Sequence, residues 1–239
     1  MIDILREYWP QYLGMGNGWN ISGAAMTLWI LVLTMLIAFL GSIPLAILRA
    51  SSNKRLSRPV QLYTFVIRGT PLYVQLLIVY TGFFSLEFIR HTPSLSEFFR
   101  SGFNCVIVAF SFNCCAYLTE VLAGSIRSIP AGEIEAARAF GFSRVKIYTR
   151  LILPSALKRA LPYYGNEVII LLHCTSIAFT ATVPELLKVA RDVNSATYAA
   201  FSSFSIAGIF YAVIAVALVA AFRLLEKRWL AFLKPLPTH

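Results

Sequence analysis

The sequence predicts an all-α integral membrane protein with five transmembrane helices, its N-terminus outside and its C-terminus in the cytoplasm. Hydrophobic residues make up 58% of the 239 residues and charged residues 13%, whereas soluble domains are about 45–50% apolar and about 25% charged. The mean hydropathy is +0.69. Five segments have the roughly 20 mostly apolar residues that a helix needs to cross a bilayer. They lie at about 21–48, 59–86, 103–126, 161–183 and 200–222.

The lysines and arginines predict the orientation of these helices, because cytoplasmic loops carry an excess of both. With the C-terminus inside, 16 of the 21 basic residues fall on the cytoplasmic side. The other five are Arg6, Arg90, Arg100, Lys188 and Arg191. The net charge of +10 therefore belongs to membrane loops, not to a basic face that binds nucleic acid. The chain divides into an outer segment 1–20, a membrane domain 21–226 with one sizeable cytoplasmic loop at 127–160, and a cytoplasmic tail 227–239.

The cytoplasmic loop is predicted to form two short helices. Pro130 suits the start of the first and Gly141 the position just after its end. Ser143 can cap the second helix, and Pro154 is predicted to break the chain before the fourth transmembrane helix. Small side chains allow another protein to approach the first helix closely, whereas a helix on a lipid surface would show large apolar residues. These small residues are Ala136, Ala137 and Ala139.

Residues 135–154 of this loop resemble the EAA motif of the permeases of bacterial ABC importers. Glu135-Ala136-Ala137 is followed by Gly141 and then by Leu153-Pro154, and Leu151 stands where the family usually has isoleucine. In that family the loop docks into a groove of the ATPase subunit. The resemblance implies a type I ABC importer permease in the bacterial inner membrane, with a periplasmic N-terminus. It implies that the ATPase-coupling residues are Glu135, Ala136, Ala137, Gly141, Leu153 and Pro154.

Further stretches narrow the resemblance to the permeases for polar amino acids, over about residues 20–225. Residues 68–75 and 113–120 are similar to the starts of the second and third helices of that group. Residues 133–139 and 179–184 are similar to the M-type permeases of importers for histidine and for lysine, arginine and ornithine. The resemblance implies translocation of polar, cationic L-amino acids by alternating access.

The resemblance also implies partners. No phosphate-binding Gly-x-x-x-x-Gly-Lys-Ser/Thr loop occurs, so we expect no ATP hydrolysis by this chain and no bound cofactor. ATP and Mg²⁺ would be bound by a cytoplasmic ATPase dimer, and the other partners would be a periplasmic amino acid-binding protein and a sister permease in a heterodimer. The four cysteines lack the spacing of a metal site. A stand-alone secondary transporter is the alternative, although five helices without a repeat are few for one. No catalytic set favours a membrane enzyme.

Three ionisable residues fall inside predicted membrane helices, where an unpaired charge costs several kcal/mol. Arg68, Glu120 and Glu167 all lie about 10 Å from the cytoplasmic surface, at a rise of about 1.5 Å per residue. The first hypothesis is a structural ion pair between Arg68 and Glu120. The second places Glu167 on the substrate path, where it would attract a cationic substrate; an ion pair or hydrogen bond to a neighbouring helix is the alternative.

Other polar residues of the fourth segment are candidates for the same path. They are Asn166, His173 and Thr180. His173-Cys174 replaces the Lys-Asp pair that the family pattern leads one to expect, and the loss of a fixed cation would ease the passage of cationic amino acids. A hydrogen bond to a neighbouring helix is the alternative role for His173.

Overall fold

The computed structural model describes residues 1–14 and 21–229, and this part of the chain is all-α, as predicted. The residues of the predicted outer segment and tail at 15–20 and 230–239 lie outside the described residues. The α-helices are α1 Ile2–Leu13, α2 Gly23–Ala50, α3 Lys54–Arg68, α4 Leu72–Leu77, α5 Phe83–Ser85, α6 Glu87–His91, α7 Pro93–Arg100, α8 Gly102–Arg127, α9 Ala131–Ala139, α10 Arg144–Ile147, α11 Leu153–Cys174, α12 Leu186–Thr197 and α13 Ala200–Trp229. Two π-helical turns, Ile78–Gly82 and Tyr148–Ile152, and a 3₁₀ segment, Thr175–Ala181, join some of them.

Among the described residues, three helices are long and apolar enough to cross a membrane: α2, α8 and α13. The number rises to four if α3 and the segment Leu72–Ser85 form one bent span. The helix α11 is of similar length, but Lys158, Arg159 and Glu167 interrupt its apolar sequence.

The centre of the fold is the contact between α2 and α8, and α11 packs against both. Small residues allow the two backbones to approach, as is usual between membrane helices. A Cβ atom placed on Gly41 of α2 would lie 3.2 Å from Sγ of Cys115 on α8. Ala38 and Ala46, on the same side of α2, are fully buried. The helices α3 and α11 pack against this pair.

The second predicted transmembrane helix is broken in the structure. The prediction was one helix over about 59–86, but α3 ends at Arg68 and the chain resumes as a helix at Leu72, bent by 99°. The physical reason is Pro71, which has no N–H and disfavours helical backbone at Thr70. The side-chain amide of Gln75 donates to the carbonyl oxygens of Ile67 (2.7 Å) and Thr70 (3.1 Å), so the break leaves these carbonyls paired.

The first half of the cytoplasmic loop folds as predicted. The helix α9 starts after Pro130, and Gly141 takes a left-handed φ of 74°. The N–H of Phe142 donates to the carbonyl of Ala137 (3.1 Å), which closes the helix in the manner of a Schellman motif. The hydroxyl of Ser143 accepts a hydrogen bond from the N–H of Lys146 (3.3 Å) and so caps α10.

The predicted chain break at Pro154 is wrong. The helix α10 continues through the π-helical turn Tyr148–Ile152 into α11, and Pro154 lies in the first turn of α11. A π turn contains an extra residue compared with an α-helical turn. The helix can therefore continue past a proline, which has no backbone N–H to donate, without ending. The fourth apolar segment therefore begins earlier than the predicted 161–183, and after Cys174 it tightens into the 3₁₀ segment.

A buried carboxylate attaches α12 to α13 in the loop between the fourth and fifth predicted spans. Glu185 is fully buried and accepts hydrogen bonds from the N–H groups of Leu187 (2.7 Å) and Lys188 (2.8 Å) and from the hydroxyl of Tyr211 (2.9 Å). The N–H of Leu186 donates to the hydroxyl of Thr27, which brings α2 into the same junction. Burial raises the pKa of Glu185 from its ordinary 4.5 to about 7, although these donors act in the opposite direction.

This raised pKa predicts a pH-dependent stability. Because the folded-state pKa lies above the unfolded value, the folded state binds more protons, and its stability falls as the pH rises from about 4.5 through about 7. We expect the fall to approach about 3 kcal/mol and to be absent in Glu185→Gln. Thermal unfolding of the detergent-solubilised protein between these pH values measures it. The matched control Asp192→Asn changes an exposed carboxylate of the same helix and should keep the slope; an unchanged slope in Glu185→Gln would contradict this assignment.

Candidate functional site

A pocket of about 380 Å³ lies where the break in the second span meets α8 and α11. It is lined by Arg68, Gly69, Thr70, Pro71, Leu72, Asn113, Cys114, Tyr117, Glu167, Ile170, Leu171 and Cys174. One basic and one acidic side chain thus share a wall that is otherwise mostly small or apolar. Such a pocket, with few polar groups that converge on its interior, is the usual form of a small-molecule site.

Arg68 is held at the pocket by Tyr117 of α8. Its guanidinium lies over the Tyr117 ring, 5.0 Å from the centroid, and the Tyr117 hydroxyl donates to the carbonyl oxygen of Arg68 (3.4 Å). The amide of Asn113 donates to the side-chain oxygen of Gln75 (3.1 Å), the residue that stabilises the break. The break, Arg68 and one face of α8 therefore form a single polar unit.

Glu120 forms its ion pair with Arg49, so the predicted pair of Arg68 with Glu120 is wrong. The Nε of Arg49 lies 2.7 Å from Oε1 of Glu120, and the Thr64 hydroxyl donates to the same oxygen at 2.6 Å. Thr64 lies one turn before Arg68 on α3, and this turn faces Glu120 while Arg68 lies beside Tyr117. The network still joins helices, as predicted for Glu120, but it connects α8 to both α2 and α3. In the sequence, the signal for this pair is that a basic residue, Arg49, directly follows the first predicted membrane helix.

Glu167 is half-buried and lines the pocket together with Arg68. Within residues 1–14 and 21–229, its carboxylate has neither an ion pair nor a hydrogen-bond partner. A carboxylate left without a protein partner at this depth carries an energetic cost, which a bound cation would reduce. The pocket has this carboxylate on α11 and the guanidinium of Arg68 on α3.

The other path candidates do not line the pocket. Asn166 and His173 are exposed on other sides of α11, and Thr180 lies in the 3₁₀ segment, where its hydroxyl donates to the carbonyl of Ile177 (2.8 Å). Cys174, next to His173, does line the pocket. Periodicity could not have separated these residues, because Ile170, which lines the pocket, lies four residues after Asn166 and three before His173.

The cytoplasmic loop forms a second candidate site. Glu135, Ala136 and Gly141 are exposed on and after α9, whereas Leu153 and Pro154 start α11. Two large apolar side chains stand out from this surface: Phe140 is 82% exposed and Val145 72% exposed. Large apolar side chains exposed together on a polar loop mark a protein contact.

In the described part of the chain no group of three or more His, Cys, Asp or Glu residues could hold a metal ion.

Comparison with known proteins identifies the class. Residues 42–231 match the family described as "binding-protein-dependent transport system inner membrane component". The chain is 54% identical over 239 residues to the histidine/lysine/arginine/ornithine transport system permease protein HisM of Escherichia coli K12, with 100% of both chains covered. It is 36% identical over 210 residues to the nopaline transport system permease protein NocM of Agrobacterium fabrum, covering 88% of this chain and 84% of that relative.

Solved structures agree with this match. A chain of an amino acid ABC transporter crystallised with histidines superposes with a TM-score of 0.73 at 31% identity, covering 85% of this chain and 90% of that one. The methionine ABC transporter MetNI matches with a TM-score of 0.74 at 16% identity over 93% and 97% of the two chains, and supports the fold alone.

The fold and the exposed loop define a permease subunit of an ABC importer with the type I fold. The chain belongs to the family of binding-protein-dependent transport system inner membrane components. The predictions of family, fold type and inner-membrane location are confirmed. ATP is hydrolysed by a separate subunit, and the alternative of a stand-alone secondary transporter is excluded.

The Arg49–Glu120 pair predicts how stability responds to mutation. Both side chains are largely buried, 17% and 19% exposed, so Arg49→Gln should lower the free energy of unfolding by about 1.5–3 kcal/mol, the range for a hydrogen bond to a charged group. Arg68→Gln is the matched control and should lose less than about 1 kcal/mol. Thermal unfolding in detergent measures both. The pairing is refuted if the swapped double variant Arg49→Glu/Glu120→Arg is no more stable than either single swap.

Proposed function

We propose that this chain is a permease subunit of an amino acid importer and that it passes histidine, lysine, arginine and ornithine across the inner membrane by alternating access. The observation that carries the proposal is the pocket that holds the unpaired carboxylate of Glu167 and the guanidinium of Arg68. The named substrates of the HisM relatives support the same substrate class.

The two charged side chains match the two ends of a cationic amino acid. Arg68 presents a planar guanidinium, which binds a carboxylate through paired hydrogen bonds. Its role is to hold the α-carboxylate that all amino acids share. Glu167 attracts the positive group of the side chain, and the ring of Tyr117 keeps Arg68 in place. The irregular backbone at 69–71 is compatible with membrane depth because it lines a cavity.

Five membrane crossings with a periplasmic N-terminus account for the charge distribution. The crossings are α2, the bent segment from α3 to α5, α8, α11 with its 3₁₀ segment, and α13. Basic residues then follow α2, α8 and α13 on the cytoplasmic side, as the positive-inside rule requires. The charges of α11 at Lys158 and Arg159 lie near its cytoplasmic start, where long basic side chains reach the interface.

The importer requires further subunits. The exposed loop from Glu135 to Val145 docks on a cytoplasmic ATPase dimer, which binds ATP and Mg²⁺. A periplasmic binding protein delivers the amino acid, and a sister permease completes the path as a heterodimer. Glu135, Ala136 and Gly141 form the surface of the docking loop, Ala137 packs inward against the core, and Leu153 and Pro154 join the loop to α11.

The proposed roles of the two pocket charges are tested by comparing the uptake of a charged and a mostly neutral substrate in variants of the pocket. Histidine is mostly neutral in its side chain at pH 8, since its pKa is about 6.5, whereas arginine stays charged. Glu167→Gln should lower arginine uptake at pH 8 by about tenfold or more, and histidine uptake much less. Arg68→Gln should lower both alike, because both substrates carry the α-carboxylate.

Uptake of each radiolabelled amino acid into proteoliposomes with the complete importer measures these effects. Asn166→Ala is the control, because Asn166 adjoins Glu167 in sequence but lies outside the pocket. Co-purification of the ATPase checks assembly. Arginine uptake that is unchanged in Glu167→Gln would rule out the assigned role of Glu167.

The docking surface makes a separate prediction. Phe140→Ala should weaken retention of the ATPase by at least tenfold, because an aromatic side chain that becomes buried in an interface contributes about 2 kcal/mol or more. The folded permease should be unaffected, since Phe140 is 82% exposed. Affinity purification and thermal unfolding measure the two properties.

Phe88→Ala is the matched control: Phe88 is 74% exposed and lies on the proposed periplasmic side. Full retention of the ATPase by Phe140→Ala would exclude Phe140 as a docking residue and leave the pocket assignment intact.

A further inference from the structure

A second and larger cavity, of about 830 Å³, lies between α2, α3 and α8. We call it the lateral groove. On α2 its wall consists of Leu33, Ile37, Gly41 and Leu45, which recur at every fourth residue and therefore form one stripe along the helix. Its walls are mostly apolar. Two of the few polar side chains that line it, Tyr63 and Asn104, already have hydrogen-bond partners within the protein. The hydroxyl of Tyr63 donates to the carbonyl of Phe112 (2.6 Å), and the amide of Asn104 to that of Phe98 (3.0 Å).

The lateral groove faces away from the proposed substrate pocket. Both cavities use α8, but Ser111 and Cys115 line the groove whereas Asn113 and Tyr117 line the pocket. At about 100° per residue these two pairs lie on opposite sides of the helix. A sister permease that shares the pocket side would leave the groove open to the membrane. The lining residue Phe112 on α8 is apolar and 61% exposed.

The stripe that α2 contributes to the groove is about as long as one half of a bilayer is thick. From Leu33 to Leu45 the stripe on α2 extends about 18 Å at 1.5 Å per residue. One leaflet of the hydrocarbon core is about 15 Å thick. A single acyl chain that enters from the interface therefore extends along the whole α2 stripe, and the groove continues beyond it to Phe98 and Asn104. A soluble apolar ligand has no comparable reason to extend along the whole stripe.

Basic side chains stand at the end of the groove where α3 begins. Pro59 and Tyr63 line the groove, and Arg55 lies one turn earlier on the same stripe of α3. Arg55 and Arg58 are exposed, and neither has an ion pair within the described ranges. No acidic residue occurs in α3. In the proposed orientation this end lies at the cytoplasmic interface, where basic residues attract anionic headgroups.

We propose that the lateral groove binds an anionic phospholipid of the cytoplasmic leaflet, with one acyl chain along the α2 stripe and the phosphate beside Arg55 and Arg58. The lipid fills the space between α2 and α3 that no side chain of the described residues occupies, and so supports the packing of the first half of the broken span. The choice of leaflet rests on the proposed orientation, whereas the binding itself does not depend on transport.

Native mass spectrometry of the assembled importer tests this proposal. The complex is equilibrated in vesicles that contain equal amounts of phosphatidylglycerol and phosphatidylcholine. It is then released from the vesicles, and the lipids that stay bound are identified by mass. We expect one phosphatidylglycerol to be retained per chain. Val108→Trp, which places a large ring in the groove, should abolish retention. The double variant Arg55→Gln/Arg58→Gln should lower the preference for phosphatidylglycerol by about fivefold for each arginine.

Two matched controls use the helix α13, away from the groove. Val213→Trp adds the same ring at a position that is 62% exposed, and Arg223→Gln removes an exposed cytoplasmic charge. Both should retain the lipid as the wild type does. Retention by Val108→Trp, or equal losses in the arginine variants and Arg223→Gln, would overturn the proposal. A photo-crosslinker at position 108 that reacts with the sister permease instead of lipid would overturn it as well. None of these outcomes alters the amino acid uptake that tests the pocket.

Discussion

Inside a membrane every backbone N–H and carbonyl group must find a partner within the protein, and the break after Arg68 is where this constraint shapes the molecule most. Pro71 ends the hydrogen-bonding ladder of α3, and Gln75 pairs the carbonyls that the break exposes. Asn113 of α8 then holds Gln75. At the 99° bend the Gln75 amide therefore replaces lost helical bonds, and Asn113 keeps that amide in place. The same turn opens the pocket and directs Arg68 into it.

Residues of helix α8 belong to three different sites, which lie at different positions around and along the helix. Asn113 and Tyr117 face the pocket, and Ser111 and Cys115 face the lateral groove. Glu120 lies near the cytoplasmic end and connects to α2 and α3 through Arg49 and Thr64. Because this ion pair neutralises Glu120 within the protein, Glu167 is left as the acidic side chain of the pocket. The ion-paired charges and the charges of the proposed substrate pocket are thus kept apart, although both lie at a similar depth.

The sequence predicts those parts of the fold that depend on local composition. The bounds of α2 and α8 follow from apolar length, and Gly141 and Ser143 follow from helix-end chemistry. It could not predict the break at Pro71, because an apolar run of sufficient length is compatible with a straight helix that contains proline. Nor does it show which arginine reaches Glu120: Arg49 and Arg68 are equally basic, and only the packing of α2, α3 and α8 distinguishes them. For the same reason it assigned Asn166 and His173 to the path.

The wrongly predicted break at Pro154 bears directly on how the proposed docking loop is connected to the proposed substrate pocket. With a break, the docking loop and Glu167 would be joined by flexible chain. In the structure α10, the π-helical turn and α11 are continuous, so the helix that starts three residues after Gly141 also carries Glu167. From Leu153 to Glu167 the helix rises by about 21 Å. In the proposed importer, a displacement of the docking loop would therefore move Glu167 relative to Arg68, which belongs to a different helix, and would change the distance between the two charges of the pocket.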